Sequence, residues 1–418
     1  MNEWKKTLIR FSVAVLILVI TLNASAQVIA IRVGHLVDPD AGTATANQII
    51  LVEKGRITAV GPAVPIPVGA TVIDLSKSYV LPGLFDAHTH LCQMTTPDDR
   101  NLFTTDIRQQ TAYRALIGAA MAKEVLEAGF TTVRDVGNNG NYADTTLRNA
   151  IDNGLVPGPT MINAGRIIAP FGGQYHLRPD RVELGAPEYL FADTRDEMLK
   201  AIRENIHFGA LLIKIVVDDQ KYIYSADDIR FIVAEAHKAG VKVAAHCMTE
   251  PGARNAAEGG VDSIEHGYQM SDEALALAKK NNVVLVGTDF PEKTAIYLGV
   301  SPEFAKVFHG IFLDRLKRAY KIGVTMVFGT DTFFQVPGQT RGMLALDYLD
   351  TYREAGVPDK YVLQMMTSNA ARLLGVDKER GFIRVGQAAD LIAVPEDPQS
   401  NILTLRKVSF VMKNGKKQ

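Results

Sequence analysis

Val80-Leu-Pro-Gly-Leu-Phe-Asp-Ala-His-Thr-His-Leu91 is the stretch on which the interpretation of the whole chain depends. Its apolar run, 80–85, predicts a strand, and side chains two positions apart on a strand lie on the same face. His88 and His90 follow this run, so both imidazoles would point the same way from its carboxyl end. Neutral imidazole is a common metal ligand, and two on one face can chelate one ion. The spacing alone leaves open a pair of strand histidines held only by hydrogen bonds.

The first 26 residues have the pattern of a secretory signal peptide. A basic start precedes an apolar stretch over 11–22, and 24–26 read Ala-Ser-Ala, a small-residue cleavage site. An uncleaved membrane anchor is the alternative, although the apolar stretch is short for a bilayer. Cleavage before Gln27 would export the protein to the periplasm or the extracellular space, without stable membrane association.

The bulk composition excludes some classes of partner and fold. Lys and Arg total 45 and Asp and Glu 46, and this near balance argues against a nucleic-acid partner. Cys92 and Cys247 are the only cysteines, which excludes a disulfide framework and leaves one bridge at most. We expect both to be buried near strand ends. The length of 418 residues fits a large barrel plus a small domain.

β-rich segments at both ends flank a long middle region. These segments are 31–37, 49–52, 56–60, 381–385, 389–394 and 408–412. We therefore expect one small β-sandwich domain built from both chain ends, over 27–80 and 381–418. The larger domain would occupy 81–380.

The middle region alternates apolar β runs with helical patterns. After the run at 80–85, the predicted strands are 131–135, 160–164, 211–217, 241–246, 263–266, 283–286 and 325–329. The predicted helices are 112–128, 195–208, 226–239, 272–280, 302–322 and 342–355. Eight strands with intervening helices predict an α/β fold, a (β/α)8 TIM-type barrel. A doubly wound open sheet is the alternative, but no Gly-rich phosphate loop opens a helix.

Residues able to do chemistry recur at the predicted strand ends, where barrel enzymes carry their active sites. They are His88 and His90 at the first strand, Lys214 in the fourth, His246 at the fifth, His266 at the sixth and Asp331 at the eighth. One strand-end histidine means little. Packing does not readily explain the whole set.

Lys214 is the most unusual of these residues, because it lies in an apolar strand where a charged side chain is costly to bury. Desolvation and nearby cations would lower its pKa and favour the neutral amine. A neutral amine can react with carbon dioxide to form a carbamate, an anionic bridging ligand. The alternative is an outward-facing lysine, or one paired with Asp218 or Asp219.

Taken in order, these residues resemble the amidohydrolase superfamily, in its branch of prolidase-like and imidazolonepropionase-like enzymes. The resemblance rests on Asp86-Ala-His88-Thr-His90, Lys214, His246, His266, Asp331, Thr367-Ser-Asn-Ala-Ala371 and Gly386-Gln-Ala-Ala-Asp390. It covers nearly the whole chain after the leader. Each motif is moderately specific, whereas their ordered combination is highly specific.

The resemblance implies a metal site with two zinc ions, other divalent metals being alternatives. His88, His90 and Asp331 would bind the more buried ion, His246 and His266 the second, and N6-carboxylated Lys214 would bridge them with a shared hydroxide. Two such metals lower the pKa of a bridging water and polarise a carbonyl. Asp331 would be catalytic, taking a proton and returning it to the leaving nitrogen.

The function implied by the resemblance is a secreted zinc-dependent amidohydrolase that cleaves dipeptides or N-acyl amino acids by metal-hydroxide attack. One alternative is a hydrolase of cyclic amides, similar to imidazolonepropionase, whose sites typically use one metal and no bridging lysine. Another is a hydrolase of a xenobiotic amide such as ochratoxin. A catalytically silent metal-binding protein is the non-enzyme alternative. The partner would be a small peptide or amide, and members of this family often form homo-oligomers.

Two further residues are candidates for substrate binding. His176 lies in a long segment after the third predicted strand, where barrel enzymes often carry pocket loops or lids. Tyr224 follows Lys214, in a stretch where related dipeptidases often have glycines that help to hold the substrate carboxylate. This chain has acidic and aromatic residues there instead, so Tyr224 is either a donor near the site or an aromatic cover.

Overall fold

The computed structural model describes residues 28–96, 98, 101–221 and 223–418. The strands are β1 Ile29–Asp38, β2 Thr43–Glu53, β3 Arg56–Gly61, β4 Thr71–Pro82, β5 Leu84–Thr89, β6 Phe130–Asp135, β7 Thr160–Asn163, β8 Ile167–Ala169, β9 Tyr189–Phe191, β10 Leu212–Val216, β11 Lys242–Cys247, β12 Ser263–His266, β13 Val284–Val286, β14 Met326–Val327, β15 Leu391–Val394, β16 Phe410–Lys413 and β17 Lys416–Lys417. The helices are α1 Leu102–Arg108, α2 Thr111–Glu127, α3 Ala143–Asp152, α4 Arg195–His207, α5 Ala226–Lys238, α6 Glu250–Gly259, α7 Asp272–Lys280, α8 Glu292–Tyr297, α9 Pro302–Ile322, α10 Arg341–Asp347, α11 Leu349–Glu354, α12 Asp359–Met365 and α13 Ser368–Leu374. Short 3₁₀ turns lie at Val182–Gly185 and Ile402–Lys407.

Both chain ends contribute to one sheet. Its strand order is β17-β16-β15-β4-β1-β2-β3, so the C-terminal strands join the N-terminal ones through the β15–β4 pair. Ile392 pairs with Leu81 in that antiparallel contact. A separate apolar core lies on this sheet and includes Ile31, Ile50 and Leu391.

The middle of the chain forms parallel sheets that close into a barrel. The strand orders are β5-β6-β7 and β14-β13-β12-β11-β10-β8-β9. The amide of Leu211 donates to the carbonyl of Asn163 at 2.8 Å, and the amide of Ala87 donates to Phe328 at 2.9 Å. These bonds join β10 to β7 and β5 to the end of β14. The prediction of a TIM-type barrel with a small β domain is confirmed, and an open doubly wound sheet does not fit this closure.

The predicted single strand over 80–85 is wrong. β4 carries the chain to Pro82 in the terminal sheet, and β5 starts the barrel at Leu84. Gly83 marks the change, since its amide donates to the carbonyl of Asp390 at 3.0 Å. A Cβ there would lie 2.1 Å from the Thr131 hydroxyl, so only glycine fits. His88 therefore lies inside β5 rather than after it.

Other predicted strands and helices can be compared with their observed bounds. The predicted strand 263–266 and helices 272–280 and 302–322 are observed with the same bounds. The predicted helix 342–355 is instead two helices, α10 and α11, and Tyr348 is the cap residue between them. The segment 381–385 is not a strand. β8 and β9 have three residues each, too few for a pattern to predict them.

The predicted leader, 1–26, lies outside the described residues. Among the helices that the structure describes, none has the length and apolar character needed to cross a membrane. Cys92 and Cys247 are both free thiols and fully buried, as expected.

Candidate metal centre

The carboxyl ends of five barrel strands bring the predicted ligands together. The residues at this edge of the barrel are His88, His90, Lys214, His246, His266 and Asp331. The ring centre of His88 lies 5.3 Å from that of His90 and 5.0 Å from that of His266. The rings of His266 and His246 are 4.6 Å apart. The carboxyl ends of parallel strands open on the same rim of a barrel, which is why side chains so distant in sequence meet here.

Asp331 lies between the imidazoles. Its Oδ1 is 3.1 Å from Nε2 of His90 and 3.6 Å from Nε2 of His88, and its Oδ2 is 3.9 Å from Nδ1 of His266. Its backbone has a φ of +54°, a conformation that costs free energy in a residue with a side chain and is found most often at functional sites. Burial alone would raise the pKa of Asp331, but His88 and His90 lower it overall. The carboxylate is therefore ionised, and it keeps 26% of its side chain exposed.

His88 is oriented by a buried carboxylate. Its Nδ1 lies 2.7 Å from Oε2 of Glu265, which leaves Nε2 for the centre. The other oxygen of Glu265 accepts from Nη2 of Arg134 at 2.7 Å and from the Ser263 hydroxyl at 2.5 Å. Burial lowers the pKa of His88 to about 4. The ring is thus neutral at pH 7, as a metal ligand must be.

Two other rings are fixed by neutral partners. Nδ1 of His90 lies 2.6 Å from the carbonyl of Gly137, which requires a proton on that nitrogen. Nδ1 of His266 lies 2.8 Å from the hydroxyl of Thr288. Burial lowers the pKa of His266 well below its usual range. In both rings, Nε2 remains for a metal or a substrate.

His246 faces carboxylates through Nε2, at ion-pair distance but without the geometry of a hydrogen bond. That nitrogen lies 2.8 Å from Oδ2 of Asp219 and 4.0 Å from Oδ1 of Asp218, which leaves Nδ1 for the centre. The three residues are close enough to hold an ion of their own. Asp218, however, already accepts bonds from the amides of Met248 and Thr249, at 2.8 Å each, so it fixes the start of α6.

Lys214 lies in β10, all five residues of which are buried. The side chain is 3% exposed, and the charges of Glu265 and Asp331 act on its amine, which places it on the face of the strand toward the cluster. Burial lowers the pKa of its amine to about 8, while Glu265 and Asp331 act in the opposite direction. A considerable fraction of the amine is therefore neutral near pH 8, as carbamate formation requires.

The two predicted substrate residues have different surroundings. The side chain of His176 is exposed, on the segment that follows β8. Tyr224 is 5% exposed and its hydroxyl donates to the carbonyl of Ala192 at 2.5 Å. Tyr224 as a donor near the site stays a prediction, although in this structure its hydroxyl proton serves that buried bond. The side chain packs in the main core, the aromatic cover that was the alternative.

Sequence reasoning missed the residues that orient the ligands. These are Glu265, Arg134, Asp219 and Thr288. Glu265 offered a signal, since it is an acidic residue inside a short buried strand, directly before His266. Arg134, near the end of a strand of Phe, Thr and Val, is a similar charged exception. Nothing in the sequence indicates which imidazole each of them contacts.

The donor set fits a divalent transition metal. In each of the four imidazoles, one nitrogen lies within 2.8 Å of a protein oxygen and the other nitrogen is left over, and an ionised carboxylate lies among the rings. Nitrogen and carboxylate donors of this kind suit zinc and similar ions. His88, His266 and Asp331 by themselves lie close enough to share one ion.

Comparison with known proteins shows which enzymes this chain resembles. A model described as the amidohydrolase family matches residues 79–417. Ochratoxinase from Aspergillus niger is 27% identical over 96% of this chain and 88% of that enzyme. Imidazolonepropionase from Symbiobacterium thermophilum is 28% identical over 87% of this chain and 88% of that enzyme. The crystal structure of a Xaa-Pro dipeptidase with methionine in its active site superposes with a TM-score of 0.83, at 28% identity, over 94% of this chain and 100% of that chain.

Proposed function

This chain belongs to the amidohydrolase family, and on that basis we propose that it is a zinc-dependent enzyme that cleaves dipeptides or N-acyl amino acids. At the coarser level it is a metal-dependent hydrolase of C–N bonds, acting on amides or peptides. The prediction of an enzyme is thus confirmed, and a catalytically silent protein is not favoured. The observation that carries the finer proposal is the meeting of four imidazoles, Asp331 and Lys214 at one end of the barrel.

The proposed ligand sets follow the geometry of the cluster. His88 and His90 would hold one ion together with Asp331, whose Oδ1 lies within 3.6 Å of a nitrogen of each ring. His246 and His266, with ring centres 4.6 Å apart, would hold the second. When bound, the two ions would supply a water of lowered pKa and a Lewis acid for the substrate carbonyl.

We propose that Lys214 joins the two ions as a carbamate. Its neutral amine would attack carbon dioxide, form an N–C bond and release one proton, which turns the neutral amine into an anionic carbamate. The pKa of about 8 supports this step, because it makes the nucleophilic form accessible near neutral pH.

Asp331 is the proposed proton carrier. Its carboxylate is ionised in the folded protein and partly exposed at the mouth of the barrel, so it can meet both water and substrate. It would accept the proton of the attacking water and then deliver that proton to the leaving nitrogen. The neutral rings of His88 and His266 cannot do both, since their pKa values are lowered by burial.

The substrate class comes from the relatives. The Xaa-Pro dipeptidase favours a dipeptide. The ochratoxinase relative, similar over nearly the whole chain, makes hydrolysis of an ochratoxin-like amide a second candidate. Imidazolonepropionase keeps cyclic amides as the alternative. A carboxylated Lys214 would count against that branch.

We also propose that the protein is exported, because residues 1–26 have the pattern of a signal peptide. Expression of the full chain in a bacterial host, followed by fractionation and N-terminal sequencing, tests this. A periplasmic protein starting at Gln27 supports export. An intact start in the cytoplasm contradicts it.

The central experiment measures metal per chain on purified protein and hydrolysis of a panel of dipeptides, N-acyl amino acids, ochratoxin and cyclic amides. About two zinc ions with dipeptide turnover would support the proposal. Turnover of ochratoxin alone would favour the second candidate. One ion with cyclic-amide turnover would replace the proposal with the alternative. Asp331→Asn is the control, since any contaminating hydrolase would survive that change.

A further inference from the structure

We propose that Asp219 is a positioning residue that links a pocket loop to the metal-ligand candidate His246. The pocket loop is the segment 170–181, which follows β8 and carries His176. This inference rests on the proposed metal site but adds a role for residues outside the ligand set. The loop, the Asp219 carboxylate and the imidazole form one chain of contacts.

The carboxylate of Asp219 has two partners on one oxygen. Its Oδ2 lies 2.8 Å from Nε2 of His246 and accepts a bond from Nε2 of Gln174 at 2.9 Å. Asp219 has a φ of +109°, which costs about 1–3 kcal/mol in a residue other than glycine. A strained backbone that points one carboxylate at both a ligand candidate and a loop residue indicates a functional constraint.

The pocket loop has a second contact with the same turn. Nε2 of Gln220 donates to the carbonyl of Gly173 at 2.5 Å. Oε1 of Gln174 in turn accepts from the hydroxyl of Tyr189 at 3.0 Å, so the glutamine is held at both ends. The Gln174 amide group therefore has a fixed orientation when it meets the carboxylate.

The far side of the loop is anchored elsewhere. The hydroxyl of Tyr175 donates to Asp106 of α1, and its ring lies 4.9 Å from that of Phe103. Gly172 and Gly173 have φ values of +93° and +56°, so the loop bends sharply just before the contact with Asp219. Movement of the loop about these glycines would break the Gln174 contact and leave the carboxylate with His246 alone.

The coupling has a direct consequence for metal binding. His246 would present Nδ1 to the centre only while Nε2 is held, because the partner on one nitrogen fixes the ring and its tautomer. Loss of the partner of a ligand histidine usually lowers metal affinity by about 10–100-fold. The position of the loop should therefore change the affinity for the second ion, although no loop residue is a ligand.

A double-mutant cycle tests this link. We would compare Gln174→Ala, Asp219→Ala and the double variant by chelator competition for zinc, after confirming unchanged thermal unfolding. Asp219→Ala should lower the affinity of the weaker site by about 10–100-fold, and Gln174→Ala by a smaller factor of about 3–10. The double variant should resemble Asp219→Ala. An unchanged affinity in Gln174→Ala, or effects that simply multiply, would overturn the proposal.

Gln220→Ala is the matched control. It loosens the same loop but leaves the bond between Gln174 and Asp219 available, so zinc affinity should fall by less than in Gln174→Ala. Equal losses of zinc affinity in Gln220→Ala and Gln174→Ala would contradict a specific role for Asp219.

A metal-free measurement separates this proposal from the proposed function. In protein labelled with ¹⁵N at histidine, the Nε2 signal of His246 should shift in Gln174→Ala and shift further in Asp219→Ala. The absence of both shifts would refute the link even if zinc binds. Failure of the wild type to bind zinc would instead refute the proposed function, while the same shifts would still support the link.

Discussion

His88 and His246 are both held by a carboxylate, but in opposite surroundings. His88 and Glu265 are 1% and 0% exposed, and Glu265 is itself held by Arg134 inside the barrel. His246 is 9% exposed, and Asp219 is 27% exposed on a turn that also contacts the pocket loop. The first pair is part of the core, where losing one charged partner is costly. The second lies at the rim, where a change of loop position can alter it.

The largest expected effect concerns Asp331, whose carboxylate lies near imidazoles of both proposed metal sites. Asp331→Asn should retain bound metal and lower kcat by about 10²–10⁴-fold, since the amide keeps one oxygen but cannot accept the proton. Metal analysis and steady-state kinetics on one preparation check this. Normal turnover in the variant would remove the proton-transfer role.

The second largest effect should come from Lys214, because it would bridge the two proposed metal ions. Lys214→Ala should lose most of the bound metal in both sites, as the bridge disappears. Lys214→Met, which fills the same space without a nucleophile, separates loss of the bridge from loss of packing. Metal content after reconstitution with and without bicarbonate is the measurement, and an unchanged content in both variants would exclude the carbamate.

The two carboxylates can be compared directly by matched substitutions. Glu265→Gln should destabilise the metal-free protein by about 3–5 kcal/mol, because Arg134 is left as an uncompensated buried charge. Asp219→Asn should cost less than about 1 kcal/mol, as an exposed partner does. Thermal or denaturant unfolding of both variants checks the difference. Similar losses of unfolding free energy would mean that burial does not distinguish the His88–Glu265 pair from the His246–Asp219 pair.

The smallest effect should come from Tyr224. Tyr224→Phe removes the hydrogen bond to Ala192 and should cost about 0.5–1.5 kcal/mol of unfolding free energy. Its kcat and KM should match those of the wild type, because the hydroxyl serves the core. A raised KM with unchanged stability would restore the substrate role that the sequence suggested.

Many strands and helices of the barrel could be predicted because the periodicity of apolar residues is a local property of each segment. The strand 263–266 and the helices 272–280 and 302–322 were predicted with their observed bounds, since each has a sustained apolar pattern and clear ends. The run at 80–85 failed because its two halves are equally apolar while they belong to different sheets. Only the close approach of Thr131 to Gly83 reveals the change.

The ligand candidates could be predicted from local sequence, whereas the residues that orient them could not. His88 and His90 were found by spacing and Lys214 by an apolar setting, and both signals belong to one segment. Their roles as ligands stay a prediction. Glu265 contacts His88 from another strand and Arg134 contacts Glu265 from a third, while Asp219 contacts Gln174 across 45 positions of sequence. No local pattern encodes such pairings.

By itself the sequence determined the kind of fold, the family resemblance and the residue types able to hold metal. These follow from periodicity and from the order of a few polar residues at strand ends. Only the tertiary structure decided which nitrogen of each imidazole is left for the centre, that Tyr224 is engaged in the core, and that Asp219 contacts both His246 and Gln174. The physical reason is that hydrogen bonds and burial depend on distances between elements, which barrel closure sets and no single segment contains.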